Sequence, residues 1–245
     1  LNVTGDRTGA KLEGGKVNAA TTEDLVERIE FDGRDFLAYR LPPVSVALLR
    51  GTTADLDGNI TMEKEAFTLE VLPLAMAAKN SGGFVIVQVE RIAERGALNA
   101  RQVKIPGMLV DCVVVSKPEN HWQTYGTPYN PAFSCEFKVP TASIDALPLD
   151  ERKIIARRAA FELQPNMVVN LGIGMPEGLA NVANGEGIFD YLTLTAEAGS
   201  IGGIPSGGLD FGTATNMDCL IDMHAQFDFY DGGGLDLACL GLAQM

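Results

Sequence analysis

The sequence predicts an α/β fold built on open sheets, and three observations carry that reading. Residues 44–49 (VSVALL), 84–89 (FVIVQV) and 110–115 (VDCVVV) are short apolar runs, the pattern of strands covered on both faces of a parallel sheet. Segments of helical composition, 63–79 and 151–163, alternate with such runs. A further run, 167–171 (MVVNL), passes straight into GIGMPEG and then into a helix of small residues, 179–184, which makes a strand, glycine turn and helix unit.

Taken in order, residues 25–29 and 35–39 flank Asp32-Gly33, the two-residue signal of a β-hairpin. The polar, glycine-rich stretch before them starts no obvious element. After the strand at 44–49, Asp57-Gly58 is turn chemistry. Asp55, Asp57 and Asn59 resemble part of a calcium loop, but the glycine is misplaced and no correctly spaced Glu closes it, so a turn is expected. Residues 63–79 are expected as a helix interrupted by Pro73 and stopped by Asn80-Ser81-Gly82-Gly83. Residues 118–133 (PENHWQTYGTPYNPAF) hold the only Trp, two tyrosines and three prolines. They read either as an aromatic wall for an acyl chain or adenine, or as a long ordered loop packed against the next domain; the loop is the preferred reading. His121 has no adjacent Ser or Cys and receives no catalytic role.

A boundary is expected at 140–148, dividing the chain into domains 1–145 and 146–245. The second opens cleanly, with Asp150 as N-cap and Leu149 placed to staple onto Ile154. Both ends read as those of a longer chain: Leu1 is no initiator, and Met245 follows closely on the apolar run 235–242.

Composition narrows the function. A chain of 245 residues can bury a sizeable core. No apolar run approaches a membrane span, and the start does not resemble a signal peptide. The four cysteines form no CxxC pair or metal-ligand spacing, so a reducing cytoplasm is expected, and two histidines do not furnish a multi-histidine metal centre. A net charge of −13 argues against nucleic acid, whose binding needs Lys and Arg to displace counterions. No Lys or Arg follows Arg158. An anion bound by the second half therefore depends on helix N-termini, backbone N–H groups or cations from elsewhere.

Glu197 is the residue that stands out. It ends the alternating run LTLTAE and enters AGSIGGIPSGG, with five glycines between Gly199 and Gly208. Glycine lets a bulky group approach the backbone and leaves N–H donors able to face it, so Glu197 can serve as a nucleophile on an activated acyl group beside oxyanion donors. A solvated carboxylate beside a flexible turn is the plain alternative. The turn Gly172–Gly178 has GxGxxxG spacing rather than the dinucleotide pattern, and a tight turn with no ligand explains it equally well. Fifteen of the 27 glycines lie between Gly172 and Gly241. Since strand-end loops of an open sheet converge on one edge, Gly172–Gly178, Gly199–Gly208 and Gly232–Gly234 are expected to line one site around Glu197.

At this level of detail the chain resembles the family I coenzyme A transferases, especially the single-chain acetate/propionate type. The stretches RGTTADLDGNITMEKEA, NSGGFVIVQVE, NHWQTYGTPYNPAFS, PLDERKIIARRAAFEL, NLGIGMPEG, LTAEAGSIGGIPSGGLDFG and QFDFYDGGGLDLACLGLA carry the resemblance from about Leu41 onward. It implies two similar open-sheet α/β domains, with this chain holding the later part of the first and the earlier part of the second. It implies that Glu197 is the catalytic glutamate, moving coenzyme A between a short-chain acyl-CoA and a carboxylate such as acetate or propionate by a ping-pong route through a glutamyl-CoA thioester. Coenzyme A is then a substrate, with no metal and no permanently bound cofactor. Substrate-binding roles pass to Gly172, Gly174, Gly199, Gly202, Gly203, Gly232, Gly233 and Gly234, and a homo-oligomer is implied. Two alternatives stay open: an acyl-CoA hydrolase using the same glutamate, and a catalytically silent fragment acting as an interaction module.

Overall fold

The computed structural model describes residues 2–5, 19–20, 22–23, 26–140 and 146–242. It forms two compact units, Leu1–Ser45 and Val46–Met245. In the first, strands β1 (Asn2–Gly5), β2 (Val26–Phe31) and β3 (Arg34–Tyr39) make an antiparallel sheet in the order β1-β3-β2. Asp32 and Gly33 both have positive φ, 53° and 70°, as the expected two-residue hairpin requires. Strand β1 differs from expectation, because its polar sequence is held by pairing with β3 rather than by an apolar pattern.

The second unit begins with a parallel sheet of β4 (Val46–Arg50), β7 (Phe84–Val89) and β10 (Cys112–Val115), ordered β10-β7-β4. Helix α1 (Val71–Asn80) packs on β4 and β7. Ala47, Leu49, Val85, Val87 and Val89 are buried, whereas Val46, Leu48, Phe84 and Val114 on the opposite face are exposed. The expected cover on both faces is thus present on one face of this chain. A second sheet, ordered β8-β5-β6-β9, combines β5 (Thr53–Asp55), β6 (Ile60–Thr61), β8 (Arg91–Ala93) and β9 (Val103–Ile105). Between β5 and β6 the Asp55 carboxylate accepts from the backbone N–H groups of Asp57 and Asn59 at 3.0 and 2.9 Å. That closes the expected turn.

Helix α1 is shorter than expected. Residues 63–70 are drawn out of helical geometry by side-chain partners: Glu63 accepts from Thr53 and Thr61 at 2.5 and 2.7 Å, and buried Glu65 pairs with Arg50 at 2.6 Å. Pro73 does not interrupt the helix. It occupies the first turn, where backbone N–H groups have no intrahelical acceptor to lose.

Helix α2 (Glu151–Ala160) opens on Asp150, whose side chain accepts from Lys153 N–H at 3.0 Å. The expected staple does not bury its members, since Leu149 and Ile154 are 79% and 59% exposed. Strand β11 (Val168–Leu171) then leads through the glycine turn to α3 (Gly178–Gly185), and β12 (Thr193–Thr195) follows. Strands β13 (Ser200–Ile201), β14 (Ile204–Pro205), β15 (Ala214–Thr215) and β16 (Cys219–Leu220) are two residues each, and α4 (Met223–Phe229) precedes β17 (Leu237–Cys239). The main sheet is ordered β16-β13-β12-β11-β17, with β14 and β15 paired separately. Val169, Leu171, Leu179, Ala180 and Leu194 form its core, with Ala159 and Leu163 packed against them. That core lies on one face of β11 and β12.

Candidate active site

Strands β11, β12 and β17 run parallel, in the registers Val169↔Leu194 and Val169↔Leu237. Their C-terminal ends therefore open on one edge, the edge at which ligands bind in such sheets. At the end of β12 the chain reverses: Gly199 N–H donates to Ala196 O at 3.0 Å, and Ala196 N–H donates to Ser200 O at 3.1 Å. Glu197 and Ala198 are the corner residues of this turn. Glu197 is half-buried, and its Oε2 is shielded from solvent without a hydrogen-bond partner.

The same deficiency recurs close by. Besides Arg50 Nε, which is ion-paired with Glu65, the buried side-chain polar atoms lacking a partner among the described residues are Glu70 Oε2, Glu197 Oε2, Ser200 Oγ and Gln226 Oε1. Ser200 lies in the Glu197 hairpin, and Gln226 lies in α4, which follows it. Glu70 adjoins the strap of Thr68 and Leu69, where Thr68 Oγ1 donates to Ile221 O at 3.4 Å and Leu69 O accepts from Met223 N–H at 3.1 Å. Ile221 in turn donates its N–H to Gly199 O at 2.9 Å. Buried polar groups in folded proteins are normally satisfied, and these four atoms are exceptions among the described residues.

The glycines divide by what fills the space beside them. An added Cβ would overlap the Ile221 carbonyl at Gly199, the Asp218 side chain at Gly202 and the Thr215 carbonyl at Gly203; these three positions let the hairpin pack against its own neighbours. Gly172 abuts Leu240, whereas Gly174, with φ of 88°, has nothing within 4 Å. Their amides are not free to face a ligand as glycine content alone implied: Gly172 N–H donates to Cys239 O, Gly174 N–H to Glu177 Oε1 and Gly202 N–H to Leu194 O, all at 2.8–2.9 Å. Gly232–Gly234 precede β17, on the side of the sheet away from the Glu197 edge. The structure thus brings the loops after β11 and β12 together and leaves the third glycine piece apart.

Glu177 joins those two loops, since its Oε1 also accepts from Gly208 N–H at 3.4 Å. Sequence reasoning passed over it, although an acid three residues after a turn glycine is a recognisable capping signal. The loop at 118–133 reaches the second half of the chain as expected: the Asp210 carboxylate accepts from Thr124 Oγ1 and from Thr127 Oγ1, the latter at 2.9 Å. The His121 side chain is largely buried between Glu65 and Gln88, at 3.3 and 3.0 Å. A cavity of about 420 Å³ lies nearby, with Thr68, Arg101, Lys104, Phe133 and Leu220 among its walls. Glu197 does not line it. Arg101 and Lys104 nevertheless bring cations of the first half against residues of the cation-free second half.

The family model described as Coenzyme A transferase matches residues 6–116. The caffeate CoA-transferase of Acetobacterium woodii is 52% identical over 96% of this chain and 45% of its own length. The chain belongs to the coenzyme A transferase family. The acetate CoA-transferase YdiF of Escherichia coli O157:H7 is 42% identical over 96% of this chain and 44% of its own length. Its crystal structure, a thioester complex with CoA, superposes with a TM-score of 0.87 at 38% identity, covering all of this chain and 46% of that one. The chain therefore spans about half the length of these relatives. No helix of the described residues is long and apolar enough to cross a membrane, and no group of His, Cys, Asp and Glu among them is arranged to hold a metal ion.

Proposed function

We propose that the protein moves coenzyme A from a short-chain acyl-CoA to a carboxylate acceptor, with Glu197 as nucleophile. The carrying observation is the half-buried Glu197 carboxylate, unpartnered at Oε2 and set on a turn at the C-terminal edge of a parallel sheet. Family membership supports the assignment, and so does the thioester with CoA held by the YdiF crystal structure. In the proposed sequence Glu197 attacks the thioester carbonyl of the donor, expelling CoA thiolate and leaving an acyl-glutamyl anhydride. The thiolate attacks the glutamyl carbonyl, forming glutamyl-CoA and releasing the donor acid. The acceptor carboxylate then runs both steps backwards, so the kinetics are ping-pong.

A carboxylate is a modest nucleophile, and an anhydride is easily hydrolysed. The site must therefore orient Glu197 and exclude water. Partial burial of Glu197 and the tight glycine packing beneath it serve both ends. Roles for Gly172 and Gly174 in holding coenzyme A or the acyl group, and for Gly199, Gly202 and Gly203 beside coenzyme A, rest on the family resemblance, whereas Gly232–Gly234, placed away from the Glu197 edge, are left out of the proposed site. Residues 1–145 and 146–245 are read as parts of two related domains, in a homo-oligomeric enzyme. Four free thiols suit a reducing cytoplasm.

Incubation of the complete protein with acyl-CoA should leave a CoA adduct on Glu197 that borohydride or hydroxylamine traps. Glu197→Gln should abolish it. Acid-dependent transfer at the normal rate in that variant would end the assignment. A matrix of donors and acceptors running from acetate to caffeate, with free CoA release measured alongside, identifies the substrates and separates transfer from hydrolysis.

A further inference from the structure

A hydrogen-bonded chain stands directly behind the turn that carries Glu197. Gln226 Nε2 donates to Tyr230 Oη at 2.8 Å, the Tyr230 hydroxyl donates to Thr195 Oγ1 at 2.7 Å, and Thr195 Oγ1 donates to Val169 O at 3.3 Å. With the Gln226 amide in this orientation, each hydroxyl accepts one hydrogen bond and gives its own proton onward. Thr195 is the last residue of β12, two before Glu197, and its carbonyl accepts from Asn170 Nδ2 at 3.4 Å. Strand alternation turns Thr195 away from Leu194 and the α2–α3 core, toward the face that α4 covers.

Fold stability alone gives little reason for this chain. Gln226 is completely buried and its Oε1 has no partner, an arrangement that costs free energy and that an apolar side chain would avoid. What the chain does is pin the end of one strand from both sides: to β11 through Val169 and Asn170, and to α4 through Tyr230. We propose that Tyr230 is a positioning residue for Glu197, holding the end of β12 through Thr195 so that the carboxylate meets the thioester carbonyl in one orientation. The inference rests on Glu197 being the nucleophile. Reaction rates fall steeply when reacting groups are misplaced by an ångström, so a two-residue lever from Thr195 to Glu197 is short enough to matter.

The test uses the complete protein and steady-state transfer kinetics. Tyr230→Phe and Thr195→Val are each expected to lower kcat by about tenfold with KM for acyl-CoA changed by less than about twofold, the signature of an interaction that matters at the reaction step. The double variant should lose no more than either single one, since both cut the same chain. Thr195→Ser keeps the hydroxyl and should keep kcat. The proposal is overturned if Tyr230→Phe keeps its kcat while losing only thermal stability, if the two losses multiply, if KM moves in place of kcat, or if Thr195→Ser is as slow as Thr195→Val. Glu197→Gln measured in parallel separates the two readings. Activity retained in that variant removes the nucleophile, whereas an inactive Glu197→Gln beside an unimpaired Tyr230→Phe removes only the positioning role.

Discussion

Gly199→Ala tests whether the Glu197 turn is fixed by backbone packing. Gly199 has φ of 111°, outside the range of L-residues, and holding alanine there costs about 1–3 kcal/mol. The added methyl also falls 3.0 Å from the carbonyl carbon of Ile221 and closer still to its oxygen. Ile221 cannot withdraw freely, because its N–H donates to Gly199 O at 2.9 Å and its carbonyl accepts from Thr68 Oγ1 at 3.4 Å. Relieving the overlap sacrifices the first of these bonds, adding about 1 kcal/mol. The sum, about 2–4 kcal/mol, corresponds to a fall of about 4–16 °C in the thermal transition of a unit this size. Gly174→Ala is the control, with φ of 88° but nothing within 4 Å of the new Cβ, so it bears the conformational cost alone. Calorimetry of the complete protein reads both. Equal shifts in the two variants would refute the role given to the Ile221 contact.

Three further outcomes follow from particular side chains. Asp210→Ala removes the acceptor for Thr124 and Thr127, and is expected to cost about 1–3 kcal/mol and to speed amide exchange at residues 123–130 without altering that of β7. Burial pushes the Glu63 carboxyl up, but hydrogen bonds from the Thr53 and Thr61 hydroxyls and the charge of Arg91 outweigh it, so the net direction is down. A lowered folded-state value gives stabilisation that is present above the ordinary Glu range and lost as pH falls through the folded value. Glu63→Gln should therefore flatten the acid limb of a stability profile below about pH 4.3, and an unchanged limb would count against those hydrogen bonds. Glu177→Ala frees the amides of Gly174 and Gly208; both should lose exchange protection together, and loss at only one would break the link drawn between the two loops.

The elements legible in the sequence are those whose cause is local. Runs such as 84–89 and 167–171 are apolar enough to declare strands unaided, Asp32-Gly33 names its own turn, and Asp150 caps its helix. Residues 63–70 were illegible because their conformation is decided at a distance, by Thr53, Thr61 and Arg50, while their composition is that of a helix. The two-residue strands from β13 to β16 are too short to show any periodicity. At the site, the alternation of LTLTAE placed Glu197 at a strand end correctly. The use of the glycine amides did not follow, because it depends on which carbonyl or carboxylate the fold brings opposite each one.

The Glu197 hairpin combines two properties that seldom occur together. Its backbone is held closely, with Gly199, Gly202 and Gly203 pressed against neighbouring atoms and their conformations fixed at positive φ. Its side chains include two of the buried polar atoms that lack a partner among the described residues, Glu197 Oε2 and Ser200 Oγ. A loose turn would relax until such groups found water or one another. A rigid one cannot, so the unmet hydrogen-bonding capacity persists and is available to whatever enters. Under the proposed function this is preorganisation, in which the cost of leaving polar groups dry is met during folding rather than at the moment of reaction. It also links the two kinds of variant proposed above: loosening the backbone at Gly199 should lower stability and the rate of Glu197 labelling together, whereas cutting the chain at Tyr230 should lower the rate more than the stability. A Gly199→Ala protein that unfolds earlier yet labels Glu197 at the original rate would show that backbone rigidity is not what holds the carboxylate ready.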